Sequence, residues 1–450
     1  MAQQGEILLT EGCISKKMIL FAIPILIGNI FQQLYNTVDA LIVGRFLDSD
    51  ALAAVSSSGS LIFLMIGFFS GIALGAGVVI SRYYGAKKYD KVQEAVHTDL
   101  AFGIIAGIIL TIVGVILTPQ ILSWMGTPAS VLPDSISYFR TYFMGVTASV
   151  VYNICVGILQ AVGDSKHPLY YLIVSSICNV VLDLLFVGVF RWGVGSAALA
   201  TIISQFLSTI LCIRRLIHYD TVYKVSLNKI RIHIPMLRQI LKLGLPSGVQ
   251  NSIIAFANVI VQANINSFDK DAVAGCGAYS KIEGFAFLPI TCFSMALTTF
   301  VGQNLGAHQY DRAKKGAKFG IICSTVMAGI VGIIIYVCAP FFISLFSEDS
   351  NVIAYGVLQS RTQSLFYFLL AFSHCIAGIM RGAGKATVPM FTMLATWCLT
   401  RIIYITITIY FIPKIQVVFW AYPLTWSLSS IIFLIYFLKV DWVHSYQEHK

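Results

Sequence analysis

The sequence predicts an all-α membrane protein whose twelve transmembrane helices form two pseudo-symmetric six-helix bundles. Of its 450 residues, 57% are hydrophobic and only 11% are charged, whereas soluble domains carry about 25% charged residues. Apolar stretches long enough to cross a hydrocarbon core recur along the whole chain. The chain also repeats itself. Pro119 and Pro340, Arg140 and Arg361, Gly157 and Gly378, Gly163 and Gly384, and Pro168 and Pro389 are each 221 residues apart. Gly85-Ala86 and Tyr89-Asp90 recur as Gly306-Ala307 and Tyr310-Asp311 at the same offset, while Pro24 and Pro246 differ by 222.

The predicted spans are 17–44, 52–80, 94–118, 131–160, 168–190, 195–217, 238–266, 274–303, 315–338, 353–381, 386–411 and 418–438. Lys16 and Lys17 precede the first, which is too long and too polar at its end for a cleaved signal peptide and is read as helix 1. Six spans per half is an even number, so the halves share one orientation and are related by an axis along the membrane normal. The longest charged segment, Arg214 to Lys242, separates them. The division expected is an N-terminal lobe (1–217), a cytoplasmic linker (218–237) and a C-terminal lobe (238–450); the linker also reads as a basic patch for anionic lipid heads.

The net charge of +10 is explained by placement. Loops on the side of the N-terminus hold 22 of the 30 Lys and Arg, against 4 on the other side, so both termini are expected in the cytoplasm and no nucleic-acid partner is implied. The ten cysteines are scattered, without Cys-x-x-Cys spacing and without a histidine cluster, which indicates neither a disulfide framework nor a zinc site.

Within this apolar frame, polar residues fall into stripes. Gln32, Tyr35, Asn36 and Asp39 lie at i, i+3, i+4 and i+7 on helix 1, and Ser176, Asn179 and Asp183 follow the same logic on helix 5. Helix 4 adds Ser149, Asn153 and Gln160; helix 6 adds Thr201, Gln205 and Ser208. An ionisable group at bilayer depth costs about 2.5 to 3.5 kcal/mol on insertion scales, so it normally faces a bundle interior or a wet cavity. Asp39 and Asp183 are predicted at similar depths, with Thr201 entering to match. Two carboxylates with amide and hydroxyl oxygens make a hard-oxygen site for Na+ or H+, with Asp39 and Asp183 as metal ligands if sodium is the ion. At offset 221, Asp183 corresponds to Tyr404 and Asn179 to Thr400, and Asp39 falls against Ile260 or Val261. The acidic site therefore belongs to the first half alone.

The second half has its own charges, Lys281 and Glu283 in helix 8 and Arg401 in helix 11. Matching depths predict a structural Glu283–Arg401 salt bridge, with cargo contact by Glu283 as the alternative. His374 is read as a neutral hydrogen-bonded histidine, with proton shuttling as the alternative. Phe63, Phe68, Phe69, Phe285, Phe287 and Phe293 either line an apolar cleft for cargo or pack plainly.

The order Pro24, Asp39, Gly44, Gly85-Ala86, Gln160-Ala161-Val162-Gly163-Asp164, Asn179 to Asp183, then Val301-Gly302-Gln303-Asn304-Leu305-Gly306-Ala307 and Arg381-Gly382-Ala383-Gly384, resembles the multidrug and toxic compound extrusion (MATE) family over all twelve spans. The resemblance implies a V-shaped exporter driven by inward sodium or proton flow. Asp39, Asn179, Asp183 and Thr201 match the first-lobe cation site of the family's DinF-like branch. The NorM-like branch has a further acidic site on helices 7 and 10, where this sequence has no carboxylate.

The function expected is a cation-coupled antiporter exporting small amphipathic, cationic organic compounds across the cell membrane, with no cofactor beyond the coupling ion. Gln32, Tyr35, Asn36, Asn153, Gln205, Glu283 and His374 are the further candidate contacts. A monomer is expected. The rival is a flippase for lipid-linked sugars or another amphiphile, which needs basic residues where the first half is acidic. No nucleophile motif, phosphate loop or metal-ligand cluster suggests an enzyme.

Overall fold

The computed structural model describes residues 8–47, 49–124, 127 and 131–444, without the side chains of residues 40, 49–54, 56–61, 63 and 64. The described elements are helical: α1 (Ile14–Phe46), α2 (Ser49–Gly85), α3 (Tyr89–Trp124), α4 (Leu132–Met144), α5 (Val146–Ala161), α6 (Lys166–Asp183), α7 (Val194–His218), α8 (Ile234–Asn266), α9 (Lys270–Gly306), α10 (Tyr310–Ser344), α11 (Ser350–Gln363), α12 (Tyr367–Gly382), α13 (Thr387–Met393), α14 (Arg401–Phe411) and α15 (Ile415–Lys439). Among the described residues, eleven helical segments are long and apolar enough to cross a membrane, and the pair α4–α5, bent by 49°, makes a twelfth. Each predicted span overlaps one of these segments, the second (52–80) by its later half, since the qualifying segment there is Met65–Gly85. The fourth differs in shape, because the helix breaks at Gly145.

Local chemistry explains several helix starts. α4 opens with proline in its first turn, where the missing N–H costs nothing. Asp269 and Asp349 cap α9 and α11 by accepting the amides of Ala272 at 2.7 Å and Asn351 at 2.8 Å. Two irregular stretches flank charged residues: a π-helical segment (Leu184–Val189) follows Asp183, and another (Leu394–Thr400) precedes Arg401.

The sequence repeat extends to the backbone. Lys87 and His308, 221 residues apart, both have φ of 56°, a left-handed value rare outside glycine. Gly163 and Gly384 close matching turns in the two halves with φ of 92° and 76°. After them the amides of Asp164 and Lys385 each bond a carbonyl five residues back at 2.8 Å. Only glycine reaches this turn without a Cβ penalty.

The chain divides into two compact units. The first comprises Ile27–Gly248 and the second Leu9–Leu26 with Val249–Lys450, so the 218–237 segment groups with the first. In the first unit α5 packs on α2, α3 and α7, and α4 on α3 and α7. In the second the counterparts pack alike, α12 on α9, α10 and α15, and α11 on α10 and α15.

Candidate functional site

The first unit brings the two predicted carboxylates together. α1 supplies Asp39 and α6 supplies Asp183, and the two carboxyls lie close enough to act on each other electrostatically. Asp183 is fully buried and Asn179, one turn earlier on α6, is 1% exposed. Among the described residues, neither oxygen of Asp183, neither polar atom of the Asn179 amide, nor Oδ1 of Asp39 has a hydrogen-bond partner. The same holds for Ser176 Oγ and Gln205 Oε1. Buried polar atoms are nearly always paired, so such a group of unpartnered polar atoms, most of them acceptors, demands an explanation.

An apolar cluster is built from neighbouring residues of the same elements. Ile42, Val43, Val187, Val194, Ala197 and Ala198 form a buried core, with Val38 and Val180 packed against it. Asp39 thus sits between Val38 and Ile42 on α1, and Asp183 between Val180 and Val187.

Two tyrosines that sequence reasoning missed complete the site. Tyr138 and Tyr142 of α4 stack with ring centroids 6.5 Å apart. Tyr138 lies within electrostatic range of Asp39, Asp183 and Tyr35, and Tyr142 within range of Tyr35 and beside Ser149. Tyr35 is flanked by Gln205 and Gln32 and faces both carboxylates. A signal was available: at offset 221, Tyr138 and Tyr142 fall on Gln359 and Gln363, so both halves carry polar-capable residues at these positions.

The other candidates are placed differently. Thr201 is half-buried, and its hydroxyl donates to the Ala197 carbonyl at 3.1 Å, leaving lone pairs as acceptors. Asn36 is exposed. Asn153 gives its amide to the Ser149 carbonyl of its own helix at 2.8 Å. Neither belongs to the buried acceptor cluster. Phe68 and Phe69 meet edge to face at 5.5 Å; the side chain of Phe63 lies outside the described residues.

In the second unit, the predicted Glu283–Arg401 salt bridge requires correction. The two groups sense each other through space, but among the described residues no contact-range ion pair joins them. Arg401, 2% exposed, donates to Thr425 Oγ1 at 3.1 Å and lies over the Tyr422 ring at 4.3 Å. Glu283 leans on Tyr279, whose hydroxyl bonds that of Tyr367 at 2.7 Å. Neutral hydroxyls thus take the places the opposite charges were expected to fill. His374 lies between Phe287 and Trp397, at 5.9 Å and 5.4 Å, and its Nε2 has no partner. It is not the hydrogen-bonded histidine expected.

The chain matches the model of the MatE family twice, over residues 24–185 and 246–407, two matches offset by the 222 residues that separate Pro24 from Pro246. It is 30% identical over 432 residues to "Probable multidrug resistance protein YoeA" of Bacillus subtilis, covering 94% of this chain and 93% of that protein. It is 24% identical to "Probable multidrug resistance protein NorM" of Thermotoga maritima, covering 85% and 83%. Its fold matches a solved structure described as "Outward-facing conformation of a multidrug resistance MATE family transporter of the MOP superfamily", with TM-score 0.90, 22% identity and 97% of both chains covered.

Proposed function

The chain belongs to the MatE family, and from that premise we propose that it is a sodium- or proton-coupled antiporter exporting small amphipathic organic compounds across the plasma membrane by alternating access. The repeat-derived lobes, 1–217 and 238–450 with 218–237 between them, are the proposed functional bodies, and both termini face the cytoplasm. Relatives named for multidrug resistance support the cargo class. The coupling site proposed is that of the DinF-like branch, in the first lobe.

One observation carries the coupling assignment: the buried Asp183 carboxyl and the half-buried Asp39 carboxyl lie close to each other among polar atoms that no protein partner satisfies. Two like charges about 4 Å apart repel by roughly 4 kcal/mol at an effective dielectric of 20. A cation shared between them, Na+ or H+, relieves that repulsion and gives the orphaned oxygens a partner. For sodium, the donors would be the carboxylates of Asp39 and Asp183 with the Asn179 carbonyl oxygen, the hard-oxygen set that ion prefers. The Thr201 hydroxyl oxygen has its lone pairs free to join them.

Efflux of ethidium from proteoliposomes, with sodium and proton gradients imposed separately, tests this reading. Wild type should respond to at least one gradient. Asp39→Asn and Asp183→Asn should lose the response while eluting as folded protein, and gradient-driven efflux persisting in the double variant would contradict the assignment.

A further inference from the structure

A further acid of the first unit, Asp99 of α3, takes no part in the site above. It is 1% exposed, and among the described residues neither of its oxygens has a hydrogen-bond partner and no cation pairs with it. Packing fixes the face on which it stands. Gly103, one turn on, lies so close to α5 that an added Cβ would run into Ile154 Cδ1, and at Gly107 a Cβ would meet Thr147 Cα at 2.9 Å. Asp99, Gly103 and Gly107 follow at i, i+4 and i+8, so the acid is on the α5-facing side of α3. The helices packed on α3 are α2, α4 and α5. Among the described titratable groups of these helices, the buried Cys155 thiol of α5 alone is within electrostatic range of Asp99.

The titratable groups at the start of α3 itself point elsewhere. Asp90, Glu94 and His97 line a cavity of about 400 Å³ with Lys229, Arg231 and His233. At about 100° per residue, that face is on the other side of the helix from Asp99. His97 is also fully committed, giving Nδ1–H to the Gln93 carbonyl at 2.7 Å and accepting the Ser226 amide at Nε2 at 3.0 Å.

An ionised carboxylate can only accept hydrogen bonds. Buried with neither donor nor counter-charge, it is so costly that the group takes up a proton instead. The protonated acid gains an O–H donor, for which a helix carbonyl has a second lone pair. A metal ion fits poorly, because hard cations collect about six oxygens or more and the group in range of Asp99 is a thiol. The repeat sets Asp99 apart as it does the acid pair. Its counterpart is Gly320, where an added Cβ would fall 2.6 Å from Leu297 Cδ2, so the second unit has no room for a side chain there.

We propose that Asp99 is a second proton-binding site of the first unit, separate from the Asp39–Asp183 pair and selective for H+ over Na+, its carboxyl holding a proton while α3 is packed on α5. The inference goes beyond the coupling reading and does not rest on it, since Asp99 carries its proton whichever ion the pair binds.

Infrared spectra of purified protein, with aspartate isotopically labelled at the carboxyl carbon, test it at neutral pH. The C=O stretch of a protonated aspartic acid is distinct from carboxylate bands and moves with the label. Wild type should show this band, and Asp99→Asn should lose the intensity of one carboxyl. The Asp39→Asn, Asp183→Asn double variant should keep that intensity throughout a NaCl titration. An undiminished band in Asp99→Asn overturns the proposal, because an ionised Asp99 in a merely structural role contributes nothing to it. A double variant without the band, or one whose band NaCl abolishes, overturns it as well. The two variants decide independently, so failure of one to fold leaves the other. Should neither fold, wild type without a protonated-aspartate band overturns the proposal, and Asp99→Glu, whose new carboxyl carries no label, must lose the labelled intensity.

Discussion

The two units share a frame and differ in what the frame encloses. Around the acids of the first unit, the buried apolar positions include Val43, Val194, Ala197 and Ala198. Their repeat counterparts Ile265, Ile415, Val418 and Phe419 form the matching cluster of the second unit. Within that cluster stand Val261, the counterpart of Asp39, and Tyr404, the counterpart of Asp183. Where one unit presses two carboxylates together, the other packs a valine and a tyrosine. The charged pair of the second unit is a carboxyl beside tyrosine hydroxyls and a guanidinium on a threonine and a ring. The residues that repeat hold the fold, and those that break the repeat mark the chemistry.

Exchanging residues across the repeat puts pressure on this contrast. The largest effect is expected from Val261→Asp. Val261 is 1% exposed in an apolar cluster, and an uncompensated buried charge costs about 3 to 5 kcal/mol, so thermal melts in detergent should show a severely destabilised protein. The second comparison sets Asp164 against its counterpart Lys385. Asp164 is fully buried, bonded to His167 Nδ1 at 2.7 Å and 3.7 Å from Arg215 Nη2. Asp164→Ala should cost about 3 kcal/mol by leaving Arg215 buried beside no anion. Lys385 reaches only the Asp441 carbonyl at 3.4 Å, and Lys385→Ala should cost less than about 1 kcal/mol. The third exchange, Asp39→Val, runs the other way. Replacing this half-buried acid by an apolar residue removes repulsion against Asp183 and the orphaned Oδ1, so the melting temperature should hold or rise, by an amount worth about 1 to 2 kcal/mol, while coupled efflux disappears.

Much of this contrast was legible in the sequence. The twelve spans follow from length and hydropathy, and the repeat reveals the asymmetry because Asp39 and Asp183 have no acidic counterparts. The Glu283–Arg401 contact was misread because matching depth fixes position along a helix axis and says nothing of the angle around it. Tyr138 and Tyr142 escaped because aromatic residues at i and i+4 in an apolar helix look like packing until a neighbouring carboxylate is known. The break at Gly145 lies inside a stretch read as one span, and hydropathy carries no sign of a bend.

That misreading yields a smaller test. With no contact-range ion pair, the losses from Glu283→Gln and Arg401→Gln should add to within about 0.5 kcal/mol in the double variant, whereas a closed bridge would make them markedly non-additive. The smallest effect concerns the turn after α15. The amide of His444 and its ring, then the amide of Val443, hold the Asp441 carboxyl below the usual carboxylate range. A carboxylate favoured in the folded turn supports it above the unfolded value of about 3.9 and loses that support as pH falls through the lowered folded value. Hydrogen exchange at Val443 and His444 should therefore gain protection as pH rises from that range toward neutrality, once corrected for intrinsic rates.

The central claim is that the first unit's acid pair binds the coupling ion in opposition to cargo, and calorimetric affinity for ethidium tests it most directly. Measured with purified wild type, Asp39→Asn and Asp183→Asn across separate titrations of sodium and pH, wild-type affinity should fall by a factor within roughly 5- to 150-fold as the coupling ion saturates, and cation affinity should fall reciprocally with ethidium. Both variants should bind ethidium with an affinity that no longer changes with that ion. Wild-type affinity unmoved by either ion, or an ion effect of full size in both variants, would contradict the account.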